Sequence, residues 1–211
     1  MILSLLAAAS LNWAAPEERP VRRLPPVDQC ASDESFTAFR AALLQAIAGK
    51  DRAFILAMIT DDIEVDFGGG AGRGDFERTW ALDRPETSPI WEEIGEVLDL
   101  GCVPDGEGIY WSPSMFREEG IDDPFTAALA IRPGGSLHEA ADASSPVVAT
   151  LDWDLLTVPE WNGDAAWQRV QTADGRSGYV RSAELRSPID YRAGFRKIDG
   201  RWRMIVFIAG D

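Results

Sequence analysis

The chain has 211 residues, 45% of them apolar and 26% charged, with 20 Lys plus Arg against 35 Asp plus Glu. This composition excludes wholesale disorder, and the length suits one large domain or two small ones. A formal net charge of −15 argues against nucleic acid and against adhesion to anionic membrane surfaces, because both need a basic footprint.

Residues 1–15 read as a secretory signal peptide. Ile2 to Ala9 is a short apolar run, followed by small residues and by a polar stretch from Pro16. No Lys or Arg precedes Ile2, so a cytosolic chain with a buried or frayed N-terminus is the other reading. The run is far shorter than the ~20 apolar residues of a spanning helix, and no membrane span is expected. Residues 16–29 hold Pro16, Pro20, Pro25 and Pro26. Proline fixes φ and removes a donor, so this stretch is expected to be an extended linker. Cys30 and Cys102 are the only cysteines. An even count in an oxidising compartment predicts one disulfide, and two separate thiols are the alternative. With His138 as the single histidine and no CxxC, no metal site is expected.

Residues 30–123 read as a helical α+β unit. Phe36, Phe39, Leu43, Leu44 and Ile47 fall at helical spacing, with Ser32 or Asp33 as caps and Gly49 at the end. A second helix is expected over Asp51 to Met58. Ile63, Val65 and Phe67 alternate with Asp62, Glu64 and Asp66, the pattern of a half-buried strand with an acidic outer face. The glycines from Gly68 to Gly74 match neither GxGxxG nor GK[ST], and the carboxylates before them repel phosphate. They read as a turn. A short helix is expected from Asp75 to Trp80. Ser88 and Pro89 open the clearest helix, with Ser88 as N-cap and Gly101 at its C′ position. Its apolar stripe is Ile90, Trp91, Ile94, Val97 and Leu98, and its wet face carries Glu92, Glu93, Glu96 and Asp99.

From about Phe125 helical spacing stops. Short apolar runs begin at Ala127, Ser136, Val147, Leu155, Trp167 and Gly178, separated by turn residues. This texture predicts a small antiparallel barrel or sandwich, with Asp174-Gly175 as the strongest hairpin turn. A last hairpin is expected over residues 188–211, turning at Asp199-Gly200. Within it Ile205 to Ile208 are apolar on both sides, which suits a central strand.

Residues 135–186 resemble a bacterial SH3 (SH3b) domain. The matching stretches are Ser144 to Leu151, Leu155 to Val158, Trp167 to Val170, Asp174 to Val180 and Ser182 to Leu185. The resemblance implies a small β-barrel used for binding in envelope proteins, for peptides or peptidoglycan fragments, and it implies no catalysis. More weakly, residues 33–81 and the last hairpin are similar to NTF2-like, cystatin-type folds. The fold class expected is therefore α+β: a signal peptide (1–15), a linker (16–29), a helical α+β unit (30–123), an SH3-like barrel (124–187) and a C-terminal hairpin (188–211). That hairpin is expected on the barrel or on the first unit.

Eight tryptophans are present. Trp80, Trp91 and Trp202 lie in apolar patterns and are read as core. Trp161, Trp167 and Tyr179 are the ligand-binding candidates of the barrel, because SH3-like grooves present aromatic rings; Trp161, beside Asn162-Gly163, is the most exposed of them. Arg201 and Arg203 alternate along one strand and form a candidate surface for an anionic ligand or partner; pairing with the chain's own carboxylates is the plainer reading. No nucleophile–base pair stands out, and no catalytic residue or cofactor is expected. The reading is a periplasmic or secreted, non-catalytic envelope protein, cytoplasmic if residues 1–15 are not a signal. Its partner would be a peptide, a peptidoglycan fragment or a protein. The alternatives are an NTF2-like small-molecule binder or enzyme with its pocket in the first unit, and a structural interaction module.

Overall fold

The computed structural model describes residues 20–210; the signal-peptide reading lies outside them. An extended arm leads to a 3-10 turn at Gln29–Ser32. Asp33 then caps α1 (Glu34–Ala48), accepting from the backbone N–H groups of Ser35 and Phe36. Asp51 caps α2 (Arg52–Met58) through the N–H of Phe54. Each short carboxylate satisfies donors that the first helical turn leaves free.

The next strand, β1 (Ile59–Glu64), starts earlier than the alternation of Ile63, Val65 and Phe67 suggests. Val65 stays buried, whereas Phe67 is 57% exposed. The strand ends at Glu64, and the Asp66 carboxylate accepts the N–H of Gly70 at 2.8 Å and organises the glycine turn. Then come α3 (Arg73–Thr79) and α4 (Ile90–Asp99). Ser88 is displaced from the N-cap by one residue: its hydroxyl donates to the Trp80 carbonyl and accepts from the N–H of Ile90. All five apolar stripe residues of α4 are buried. Gly101 takes the left-handed φ of 85° that a C′ residue needs.

After β2 (Val103–Pro104) and β3 (Ile109–Ser112), seven strands follow: β4 (Ala127–Ala130), β5 (Gly135–His138), β6 (Val147–Leu151), β7 (Leu155–Thr157), β8 (Trp167–Gln171), β9 (Ser177–Arg181) and β10 (Leu185–Arg186). The chain ends on β11 (Arg192–Ile198) and β12 (Arg201–Ile208). Asp199 and Gly200 both have positive φ, as a two-residue hairpin turn requires.

The strands form two sheets, a five-stranded one in the order β1-β12-β11-β3-β2 and a seven-stranded one in the order β10-β4-β7-β8-β9-β5-β6. Only β1 against β12 is parallel in the first. The C-terminal hairpin thus completes the sheet of the first unit, and the seven-stranded sheet is inserted between β3 and β11. The fold is α+β. The expected closed barrel is corrected: β10 and β6 are the two ends of the second sheet and do not pair. β10 ends after two residues, at Arg186, whose side chain reaches Glu93 of α4 in the first unit.

The first core lies between the helices and one face of the five-stranded sheet. Phe36 stands at its centre, edge-on to Tyr110, Phe195 and Trp202 with ring centroids 4.9, 5.6 and 4.9 Å away. Trp80, Trp91 and Trp202 are all core. A second apolar cluster fills the inner side of the seven-stranded sheet. A third joins the units through Leu24, Leu100, Met115, Leu129 and Ile131. Leu24 belongs to the arm, which runs as an added strand: its N–H donates to the Trp153 carbonyl at 2.9 Å, and the N–H of Leu155 donates to the Arg22 carbonyl at 2.8 Å. A disulfide between Cys30 and Cys102 ties the arm to the end of α4. Among the described residues no helix is long and apolar enough to cross a membrane.

Candidate functional site

Strand alternation sorts the second sheet into an inner and an outer face. Gln168, Val170, Gly178 and Val180 point inward and are buried. The cross-strand pairs Trp167–Arg181 and Arg169–Tyr179 therefore stand on the outer face. Tyr179 pairs in turn with His138 of β5, and His138 with Val147 of β6, which is 55% exposed. The Arg181 guanidinium lies 4.8 Å from the Trp167 ring centroid, and the His138 ring meets Trp167 edge-on at 5.3 Å. His138 Nδ1 sits 3.2 Å from the Ser145 carbonyl oxygen. Arg169 is exposed, with no ion-pair partner among the described residues. The surface thus combines two aromatic rings, an imidazole and two guanidinium groups.

Two of the predicted site residues, Trp167 and Tyr179, meet here. Trp161 does not join them on this face. It is half-buried against the inner apolar cluster. The loop that carries it is fastened by Gln168, whose amide accepts from the N–H of Asn162 at 3.1 Å and donates to its carbonyl at 2.6 Å. Arg201 and Arg203 belong to the other sheet. The sequence reading missed Arg169 and Arg181. Their signal was present, since both fall in the period-two register of Trp167 and Tyr179.

A cleft of about 700 Å³ opens elsewhere, between the arm, residues 120–127 and β7. Val21, Ile121, Ala127 and Leu155 give it an apolar lining. At its rim the Asp123 carboxylate accepts from the Phe125 N–H and the Thr126 hydroxyl, and Arg22 Nη1 donates to the Gly120 carbonyl at 2.7 Å. No predicted site residue lines it.

In the first unit, Arg73 donates to the Leu56 carbonyl and pairs with Asp61 at 3.0 Å. The Tyr110 hydroxyl donates to Asp33 at 3.3 Å, while its ring packs against Phe36 and Trp202. Burial and the neighbouring Asp33 carboxylate push the Tyr110 phenol up; the Ser35 hydroxyl and the backbone N–H of Phe36 hold Asp33 down. Aromatic side chains thus fill the inner sheet face. Asp28 lies close to Cys30 and Cys102, but the two sulfurs are bonded to each other and offer no thiolate to a metal.

No protein-family model matches the chain, nor does any curated protein or solved structure.

Proposed function

We propose that the protein is a non-catalytic, exported protein of the cell envelope, whose 124–187 unit is an SH3b-like module binding peptide or cell-wall fragments. The observation that carries this reading is the outer face of β8 and β9, where the Arg181 guanidinium stacks on Trp167 and Arg169 stands beside Tyr179. The half-buried Trp167 and Tyr179 rings leave part of their surface to a sugar ring or an apolar side chain, and a guanidinium fork beside them matches a carboxylate. Peptide stems on glycan strands present both chemistries. The Cys30–Cys102 disulfide supports an oxidising compartment, in keeping with export.

Retention on purified peptidoglycan tests the reading. Wild type is expected to be retained, and Trp167→Ala to lose roughly tenfold, the loss of one ring and its stacked cation. Arg169→Gln, an exposed change, is expected to weaken retention without lowering the thermal unfolding midpoint. Trp161→Ala is expected to lower that midpoint and to leave retention by the folded fraction intact. Equal retention of wild type and Trp167→Ala, or none of wild type, removes the proposal.

A further inference from the structure

The outer face of the five-stranded sheet carries a second surface, independent of the module just described. Phe195, Trp202 and Met204 point into the core, so their neighbours Arg196 and Arg203 point away from it. Arg196 and Arg203 are direct cross-strand partners, and Arg201 pairs with Ile198 on the same face. Like charges placed opposite each other on a sheet destabilise it unless an anion sits between them. Here neither Arg196 nor Arg203 makes an ion pair among the described residues. Arg203 donates to the Ala57 carbonyl, while Arg196 and Arg201 are exposed and make no ion pair. The other end of the face shows the contrast: the Arg192 guanidinium lies 4.6 Å from the Phe116 ring and 5.3 Å from the Phe67 ring, and donates to the Gly210 carbonyl.

Toward β3 the arginines are bordered by apolar groups. Ile198 is 37% exposed, Ile109 pairs with Arg196, and the Trp111 ring lies over Gly194. We infer that this face docks an acidic, partly apolar peptide segment of another protein. Planar guanidinium forks match carboxylates, and the isoleucine and indole surfaces match apolar side chains between them. A second copy of the chain is disfavoured because it brings its whole charge of −15 against this face, whereas a short acidic segment meets only the local arginines, the remote carboxylates being screened. An anionic bilayer repels that same charge, and a bare polyphosphate leaves the apolar border unused.

The test is fluorescence anisotropy with a labelled peptide that alternates Glu with Leu, the full chain being titrated in. Binding is expected, at least tenfold weaker for the double variant Arg196→Gln/Arg201→Gln, which keeps the Arg203–Ala57 bond. The double variant is expected to unfold at the same temperature as wild type or higher, since a repulsion is removed. A peptide alternating Lys with Leu is expected not to bind. The inference falls if the acidic peptide does not bind wild type, or if the double variant binds it equally. It also falls if inorganic triphosphate binds as tightly as the peptide, or if the arginines prove to hold a dimer that sediments as such and dissociates in the double variant.

Discussion

Asp174 shows how one side chain secures a turn. Its carboxylate accepts hydrogen bonds from the Arg176 guanidinium and the Thr172 hydroxyl, and these hold its pKa down to about 2. A carboxyl depressed in the folded state stabilises above its unfolded pKa of about 3.9 and loses that contribution as pH falls through the folded value. The Asp174 carboxyl carbon is therefore expected to titrate by NMR with a midpoint about 2, and a midpoint near 4 would contradict the geometry. Asp174→Asn should flatten the decline in stability between about pH 4 and pH 2. A neighbouring residue works by absence. A Cβ added to Gly178 would stand 2.4 Å from the His138 carbonyl oxygen and 2.9 Å from the Leu137 side chain. Gly178→Ala is expected to destabilise by roughly 1–3 kcal/mol, as overpacking does, read by chemical denaturation; a neutral result would mean that β5 and β9 part freely. The Asp-Gly turn was readable from the sequence, because its chemistry is local. The need for glycine at 178 was not, because the atom in the way belongs to a strand some forty residues earlier.

Elements meet through Arg186. Only 3% of its side chain is exposed; it reaches Glu93 at 2.9 Å and Glu96 at 3.5 Å on α4, and donates to the Tyr191 carbonyl at 2.7 Å. Helical periodicity put Glu93 and Glu96 on the wet face of α4. Those two glutamates prove to be a docking point for the inserted sheet, while Glu92 and Asp99 stay exposed, and a helix alone carries no sign of which part will be covered. Burial raises the Glu93 carboxyl, and the attraction of Arg186 offsets only part of that rise. Removing Arg186 strands a partly buried carboxylate, so Arg186→Ala is expected to cost about 3 kcal/mol at neutral pH. A raised carboxyl favours the folded state fully below its ordinary range and ceases to as pH rises through the raised value. The penalty for Arg186→Ala should thus shrink on acidification below about pH 4, where Glu93 is neutral in both states. Urea melts at neutral and acidic pH check this, and a pH-independent penalty would show that packing, not charge, is lost.

The whole molecule is a discontinuous unit with an insertion, stapled at its entrance. The Cys30–Cys102 disulfide spans 72 residues, and closing a loop of that size is worth about 4 kcal/mol in the chain-entropy picture. Reduction is expected to lower the unfolding midpoint markedly, with Cys30→Ser/Cys102→Ser behaving alike; an unchanged midpoint would show that the arm is held by Leu24 and its backbone bonds alone. The sequence by itself determined the α+β class, the Asp33 cap of α1, the buried stripe of α4, the two hairpin turns and the cysteine pair on offer, since all of these depend on spacing within one segment. Only the tertiary structure decided that the last hairpin completes the first sheet, that the second sheet stays open and that Trp161 faces inward. Each of these depends on which distant backbones share a hydrogen-bond ladder, and that choice is made by packing across the chain, beyond the reach of any local pattern.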